Sequence, residues 1–262
     1  LLSFRAHLER RGLGDRQLRT LTCKLNAFNS FCDIYNLQYI CDLKPHHLQS
    51  FIDNRSSSGL SPSTLNKDIG TLKRVFNHWN LLGYCDHNPA LILKRFAPKP
   101  APRRRFSDQE IKKIYAYRGQ FREVYITLLE TGIRIMDLKL LTPSHIEGRM
   151  LHICQLKTGE RLCVPLPKKV LRIINERLQK KVLFEEIARE RGRRACLSAL
   201  KDLLTPSSGI TMHAFRHTYA HRMLNKGVPK EVLQTLLGHK SIKTTERYAN
   251  FVEAQVLGKW VR

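Results

Sequence analysis

Residues 94–110, KRFAPKPAPRRRFSDQE, place prolines at positions 98, 100 and 102 among six basic side chains. Proline fixes its own φ and has no backbone N–H to donate, and it pushes the preceding residue out of helical space. A stretch with proline at every second position can run neither through a helix nor through the middle of a sheet. The chain must therefore build its cores on either side of it. Extended and self-repelling, the segment reads as a stiff basic linker over 96–106, between a first domain over 1–95 and a second over 107–262. Ser107 and Glu110 have capping-box spacing, so the second domain is expected to open at once with a helix. At 262 residues the chain is long enough for two cores of ordinary size.

Hydrophobic period separates the two halves. In RQLRTLTCKLNAFNSFCDIYN, Leu18, Leu21, Leu25, Phe28, Phe31 and Tyr35 recur at helical spacing. SPSTLNKDIGTLKRVFNHWNLLG opens on Ser/Pro capping chemistry, ends at Gly83, and carries Leu65, Ile69, Leu72, Phe76 and Trp79 as one stripe. A shorter helix around Leu48, Phe51 and Ile52 lies between them, which makes the first domain all-α. The second starts with helices near 111–117 and 121–130. The period then drops to two in HIEGRMLHICQLKTGERLCVPLP, where Leu151 and Ile153, then Leu162 and Val164, alternate around a turn as in a hairpin. Helices are expected again at 170–178, within 184–204, at 213–225 and at 229–237. The fold class is mainly α with a small β-sheet in the second domain.

The 46 Lys and Arg against 22 Asp and Glu give a formal net charge of +24. Such an excess costs self-repulsion in a compact fold, and a polyanionic partner relieves it. Residues 1–100 carry 14 basic and 7 acidic side chains, so both halves share the excess. Lys67, Lys73 and Arg74 on the first domain and Arg103, Arg104 and Arg105 in the linker are the candidate nucleic-acid contacts. The seven cysteines are odd in number and none are at C-x-x-C spacing, which fits reduced thiols in the cytoplasm better than a disulfide framework or zinc ribbon. No apolar run approaches a membrane span, and LLSFRAHLERRG lacks a signal peptide's apolar stretch. The chain does not start with Met, which leaves the true N-terminus open.

Four stretches can carry chemistry. ETGIRIMDLKLL presents Arg134 with Asp137 three residues on; QLKTGERL puts Lys157 at the hairpin tip. MHAFRHTYAHRML sets His213 and Arg216 on one helical face, and LLGHKSIKTTERY supplies His239 and Tyr248. Each alone has a plain alternative: a surface ion pair, a solvated lysine, a core aromatic. His213, His217 and His221 also share a face, but HAFRH has Ala where a zinc hydrolase's H-E-x-x-H needs its glutamate, and no acidic or Cys cluster stands nearby. No metal and no cofactor are expected.

Taken together and in this order, the T-G-x-R string, hairpin lysine, HAFRHTYA and LLGH with a tyrosine nine residues later resemble the tyrosine recombinases, the family of phage integrases and of Xer- and Cre-type enzymes. The resemblance spans nearly the whole chain. It implies an all-α, SAM-like core-binding domain that clamps DNA and an α+β catalytic domain. Arg134, Lys157, His213, Arg216 and His239 would surround a phosphate, with Asp137 in support, and Tyr248 would attack to form a 3′-phosphotyrosyl intermediate. It further implies double-stranded DNA carrying a specific site, a dimer per site, a tetramer in the synapse, and accessory DNA-bending proteins in some systems. After Tyr248, Phe251, Val256, Leu257 and Trp260 could bury in a neighbouring protomer or in their own domain.

The chemistry has a physical basis apart from the family. Guanidinium forks suit the charge that builds on a phosphodiester's non-bridging oxygens. Tyrosine attack exchanges one phosphate ester for another, so neither ATP nor metal is demanded. Two other readings remain open: a type IB topoisomerase-like relaxing enzyme, and a non-catalytic DNA-binding architectural or regulatory protein on the same scaffold.

Overall fold

The computed structural model describes residues 2–10, 12–97, 104–156, 159–205 and 209–238. The chain divides into two compact units, Leu1–Ala101 and Pro102–Arg262.

The first unit is four helices, α1 (Leu2–Arg10), α2 (Asp15–Ile34), α3 (Pro45–Ser57) and α4 (Pro62–Leu81), closed by a 3-10 turn at Pro89–Ile92. Ser61 caps α4 by accepting from the Thr64 N–H, and Pro62 occupies the first turn, where its missing N–H costs nothing. The stripes foreseen on α2 and α4 meet in one core, where Phe28 packs edge-on to Phe51 with ring centroids 5.1 Å apart. Each such ring or aliphatic side chain taken from water contributes about 1.5–3 kcal/mol. Tyr35 departs from expectation: α2 stops at Ile34, Asn36 takes a left-handed φ of 53°, and Tyr35 is 54% exposed.

The second unit begins with α5 (Asp108–Ala116), α6 (Arg122–Thr131) and α7 (Ile135–Leu138). A three-stranded antiparallel sheet follows, β1 (Ile146–Glu147), β2 (Met150–Cys154) and β3 (Arg161–Pro165), in that order. Then come α8 (Lys168–Asn175), α9 (Glu185–Ala188), α10 (Gly192–Leu203), α11 (His213–Asn225) and α12 (Lys230–Leu237). The capping box at Ser107 and Glu110 forms as its spacing foretold. Leu151 pairs with Val164 and Ile153 with Leu162, all four buried. The two-residue β1 and the break between α9 and α10 had no periodic signal.

Helix α6 is buried along almost its whole length and lies against α11, so it forms the centre of this unit. Tyr125 lies 5.6 Å from Phe215 in a stacked pair and donates its hydroxyl to the Cys196 carbonyl at 2.7 Å. Thr218 on α11 accepts from the buried Phe106 N–H at 2.8 Å and so fixes the start of the unit. Arg177 ties α6 to α9 through Glu123 and Glu186. The mainly helical architecture with one small sheet matches the class expected from the sequence, and among the described residues no helix is long and apolar enough to cross a membrane.

A buried carboxylate organises the first unit. Asp68, 3% exposed, receives the Arg55 Nε–H at 2.9 Å and sits 2.9 Å from the Lys24 ammonium, an ionic contact rather than an aligned hydrogen bond. It thereby joins α2, α3 and α4. Asp68→Ala leaves both cations without their counter-charge, although Lys24 and Arg55 retain 18% and 26% side-chain exposure and can turn partly to water. A loss of about 2–3 kcal/mol is expected, below the 3–5 typical of a fully buried pair. Chemical denaturation monitored by circular dichroism would measure it.

Candidate active site

The site is built on two helix ends. Helix α6 terminates at Gly132, whose φ of +65° is the left-handed conformation that a glycine adopts without penalty. The turn delivers Arg134 to the N-cap of α7. Helix α12 terminates at Gly238, φ +59°, in the same way. A helix leaves its last carbonyls without intrahelical partners. Here two carbonyls at these ends accept from one buried guanidinium: Arg216, 4% exposed, donates Nη1 to Gly132 O at 3.1 Å and Nη2 to Leu237 O at 2.5 Å. Carbonyls orient a cation without neutralising it.

Arg134 joins the same assembly through a residue not singled out in the sequence. Its Nη1 donates to Gln155 Oε1, and Gln155 Nε2 donates to the Leu237 carbonyl at 2.9 Å. Arg134, Gln155, Leu237 and Arg216 thus form one continuous chain of hydrogen bonds drawn from four elements. Gln155 lies two residues before Lys157 in QLKTGERL, but an uncharged amide offered no chemistry by which to notice it.

Asp137 forms the back of the arrangement. Its Oδ2 is 3.8 Å from Arg134 Nη1, and its Oδ1 accepts from the Leu156 N–H at 3.1 Å, which pins the end of β2 behind Arg134. Burial pushes its carboxyl above the usual range, against the opposing pulls of that N–H, Arg134 and Arg216. His213 opens α11 one turn before Arg216 and is exposed, with its ring centroid 6.4 Å from that of His217. Among the described residues no three His, Cys, Asp or Glu side chains gather as a metal site. Lys157, His239 and Tyr248 lie outside the described residues, as do Arg103, Phe251, Val256, Leu257 and Trp260.

The four described tyrosines of this unit are wholly or partly buried. Burial first, then Glu130, raises Tyr115 to about 12; burial likewise lifts Tyr117, Tyr125 and Tyr219 above the ordinary phenol.

The candidate nucleic-acid contacts are unevenly engaged. Lys67 and Arg105 are exposed, Lys73 Nζ donates to the Leu91 carbonyl at 3.2 Å, and Arg74 is exposed with its Nε on the Gly70 carbonyl at 3.4 Å. Arg104 pairs with Glu110 at 2.5 Å, so much of its charge is already met. A denser basic feature lies elsewhere. Lys139, Arg189, Arg191, Arg193 and Arg194, with Glu190 and Ile187, line a cavity of about 380 Å³. The turn that builds it is tightly held: Arg191 has a φ of 62°, and a Cβ on Gly192 would stand 2.3 Å from the Glu186 carbonyl. The run RERGRR at 189–194 was the available signal.

Comparison with known proteins gives this geometry its place. The Phage integrase family model matches residues 104–254, and the N-terminal phage integrase model matches residues 14–79. The chain belongs to the phage integrase family. Transposase B from transposon PsiTn554 of Staphylococcus aureus is 26% identical over 271 residues, covering 91% of this chain and 43% of its own length. The chain thus spans less than half the length of that relative. Tyrosine recombinase XerA of Pyrococcus horikoshii is 28% identical, covering 95% of this chain and 87% of its own. Among solved structures, a dimer of lambda integrase residues 75–356 bound to a COC' core site superposes with a TM-score of 0.77 at 22% identity, covering 94% and 92% of the two chains. The Tn1549 transposon integrase in complex with transposon right end DNA gives 0.68 at 17% identity, covering 97% of this chain and 95% of that one. At these identities the likeness is one of fold.

Gly132 is the most constrained point of this integrase-family site. A Cβ there would stand 2.4 Å from the Tyr219 ring, in addition to the left-handed φ. Gly132→Ala is expected to destabilise by more than the about 1–2 kcal/mol that the backbone conformation alone costs. Adding Tyr219→Ala, set against the Tyr219→Ala single variant, should remove the steric part and leave the conformational part. Urea titrations of the two singles and the double close that cycle.

Proposed function

We propose that this chain is a site-specific DNA recombinase that cleaves and rejoins strands through Tyr248. The observation that carries the reading is the linkage of Arg134 to Arg216 through Gln155 and the Leu237 carbonyl. Two permanently charged guanidiniums held in one network suit a phosphoryl group that gains charge on its non-bridging oxygens in the transition state. In this mechanism the phenolic oxygen of Tyr248 bonds to phosphorus as the bond to the 5′ oxygen breaks. His213 takes or relays the phenolic proton, Lys157 protonates the departing oxygen, and His239 donates to a phosphate oxygen. A phosphotyrosyl ester and a free 5′-hydroxyl result, and a hydroxyl from another strand reverses the step. Asp137 supports Arg134 from behind. Tyr125 and Tyr219 are buried and Tyr115 and Tyr117 partly so, which favours Tyr248, the second unit's remaining tyrosine, for the role.

Residues 1–95 would form the DNA clamp and 107–262 the catalytic domain, joined by a basic linker over 96–106 that follows the phosphate backbone. Dimers on one site and tetramers across two are the proposed assemblies, in keeping with lambda integrase structures solved as a dimer on a core site and a tetramer on a Holliday junction. The cavity lined by Lys139, Arg189, Arg191, Arg193 and Arg194 is a place in the described second unit where a DNA phosphate would meet concentrated positive charge.

A nicked suicide substrate, from which the short fragment bearing the free 5′-hydroxyl diffuses away, should trap a covalent protein–DNA complex. Tyr248→Phe should bind the same DNA and trap nothing; an adduct formed by the Phe variant places the nucleophile elsewhere. Relaxation of supercoiled plasmid with no recombinant product would favour the topoisomerase reading. DNA affinity should fall steeply with salt, and Arg193→Ala with Arg194→Ala should weaken binding and flatten the log–log salt slope by up to about 2. A slope unchanged in the double variant would remove this cavity from the interface.

A further inference from the structure

We propose that Gln155 is a positioning residue that sets Arg134 and the end of α12 in register with each other; this deepens, and rests on, the recombinase reading. Gln155 is 1% exposed and uses every polar group it has. Its backbone N–H donates to the Glu160 carbonyl at 2.9 Å and its carbonyl accepts from Gly159 at 2.8 Å, closing the turn between β2 and β3. Its side-chain oxygen holds Arg134 and its side-chain nitrogen holds the Leu237 carbonyl. One residue therefore ties the hairpin that carries Lys157 to an arginine on one side and, on the other, to the chain two residues before His239.

The position demands an amide. One side must accept from a guanidinium and the other must donate to a carbonyl, at the reach of two methylenes. An ionised glutamate accepts only, and would set a further negative charge on Arg134, which already has Asp137 at 3.8 Å. Lysine and arginine donate only, and asparagine is one methylene short. Room is equally limited: a Cβ on Gly238 would stand 2.6 Å from the Gln155 amide nitrogen. The glycine at 238 thus serves both the left-handed end of α12 and the approach of this amide.

Because the amide orients reacting groups and does not itself face the DNA, its loss should slow strand cleavage and leave DNA affinity unchanged. The test uses the full chain and the nicked suicide substrate under single turnover. Gln155→Ala should form adduct about 10²-fold more slowly, the scale of a small misplacement of reacting groups, with unchanged affinity. Gln155→Glu covers the case in which the Ala variant folds poorly. Its ionised form cannot donate to Leu237, whereas its protonated form can both donate and accept. Its rate relative to wild type should therefore rise as pH falls, a response that a purely structural role would not produce. Adduct formation by Gln155→Ala at the wild-type rate, or a Glu-to-wild-type ratio flat in pH, overturns the proposal. Absence of any adduct with the wild-type chain instead overturns the recombinase reading, and the positioning role with it.

Discussion

The second unit depends on a buried cation satisfied by helix ends. Burying a guanidinium is costly unless its N–H groups find acceptors. Arg216 finds two of them at Gly132 and Leu237, at the C-terminal ends of α6 and α12. Those ends carry unpaired carbonyls and the negative pole of the helix dipole, so helix and cation each supply what the other lacks. The arrangement fixes where α6 and α12 must stop and how α11 must lie between them. It also accounts for two small sequence signs in physical terms. Thr-Gly before Arg134 and Leu-Gly before His239 are places where a left-handed residue ends a helix and turns a carbonyl towards Arg216.

Much of this organisation was legible in the sequence because it rests on local rules. Helical period marked α2 and α4, alternation marked β2 and β3, and Ser107 with Glu110 marked the start of α5. Features that escaped depend on contacts distant in sequence. Strand β1 is two residues long and exists because Ile146 and Glu147 lie beside β2. Tyr35 fits the stripe of α2 by spacing, yet the helix ends one residue earlier.

The site divides the same way. Arg134 and Arg216, which the structure links, were singled out with His213 because their chemistry is recognisable in a linear string. Gln155 was not, since its importance lies in bonding a residue 21 positions before it and another 82 after it. Asp137 was read as a partner of Arg134, and the structure adds a second attachment to Leu156 that no spacing could reveal.

On the proposed function, positive charge serves two separate ends in this chain. Arg134 and Arg216 lie in a low-dielectric setting, oriented by backbone carbonyls, an amide and, for Arg134, the Asp137 carboxylate, where an interaction with phosphate oxygen would be strong and little screened by salt. Arg193, Arg194 and the other cations at the surface would act through water, where screening is strong and the gain would come from counterions released into solution. Binding should therefore be governed by the many exposed charges, and the chemical step by the few buried ones. On that reading a net charge of +24 would serve binding almost wholly. The chemical step would depend on orientation, which helix ends and one glutamine supply and further charge would not.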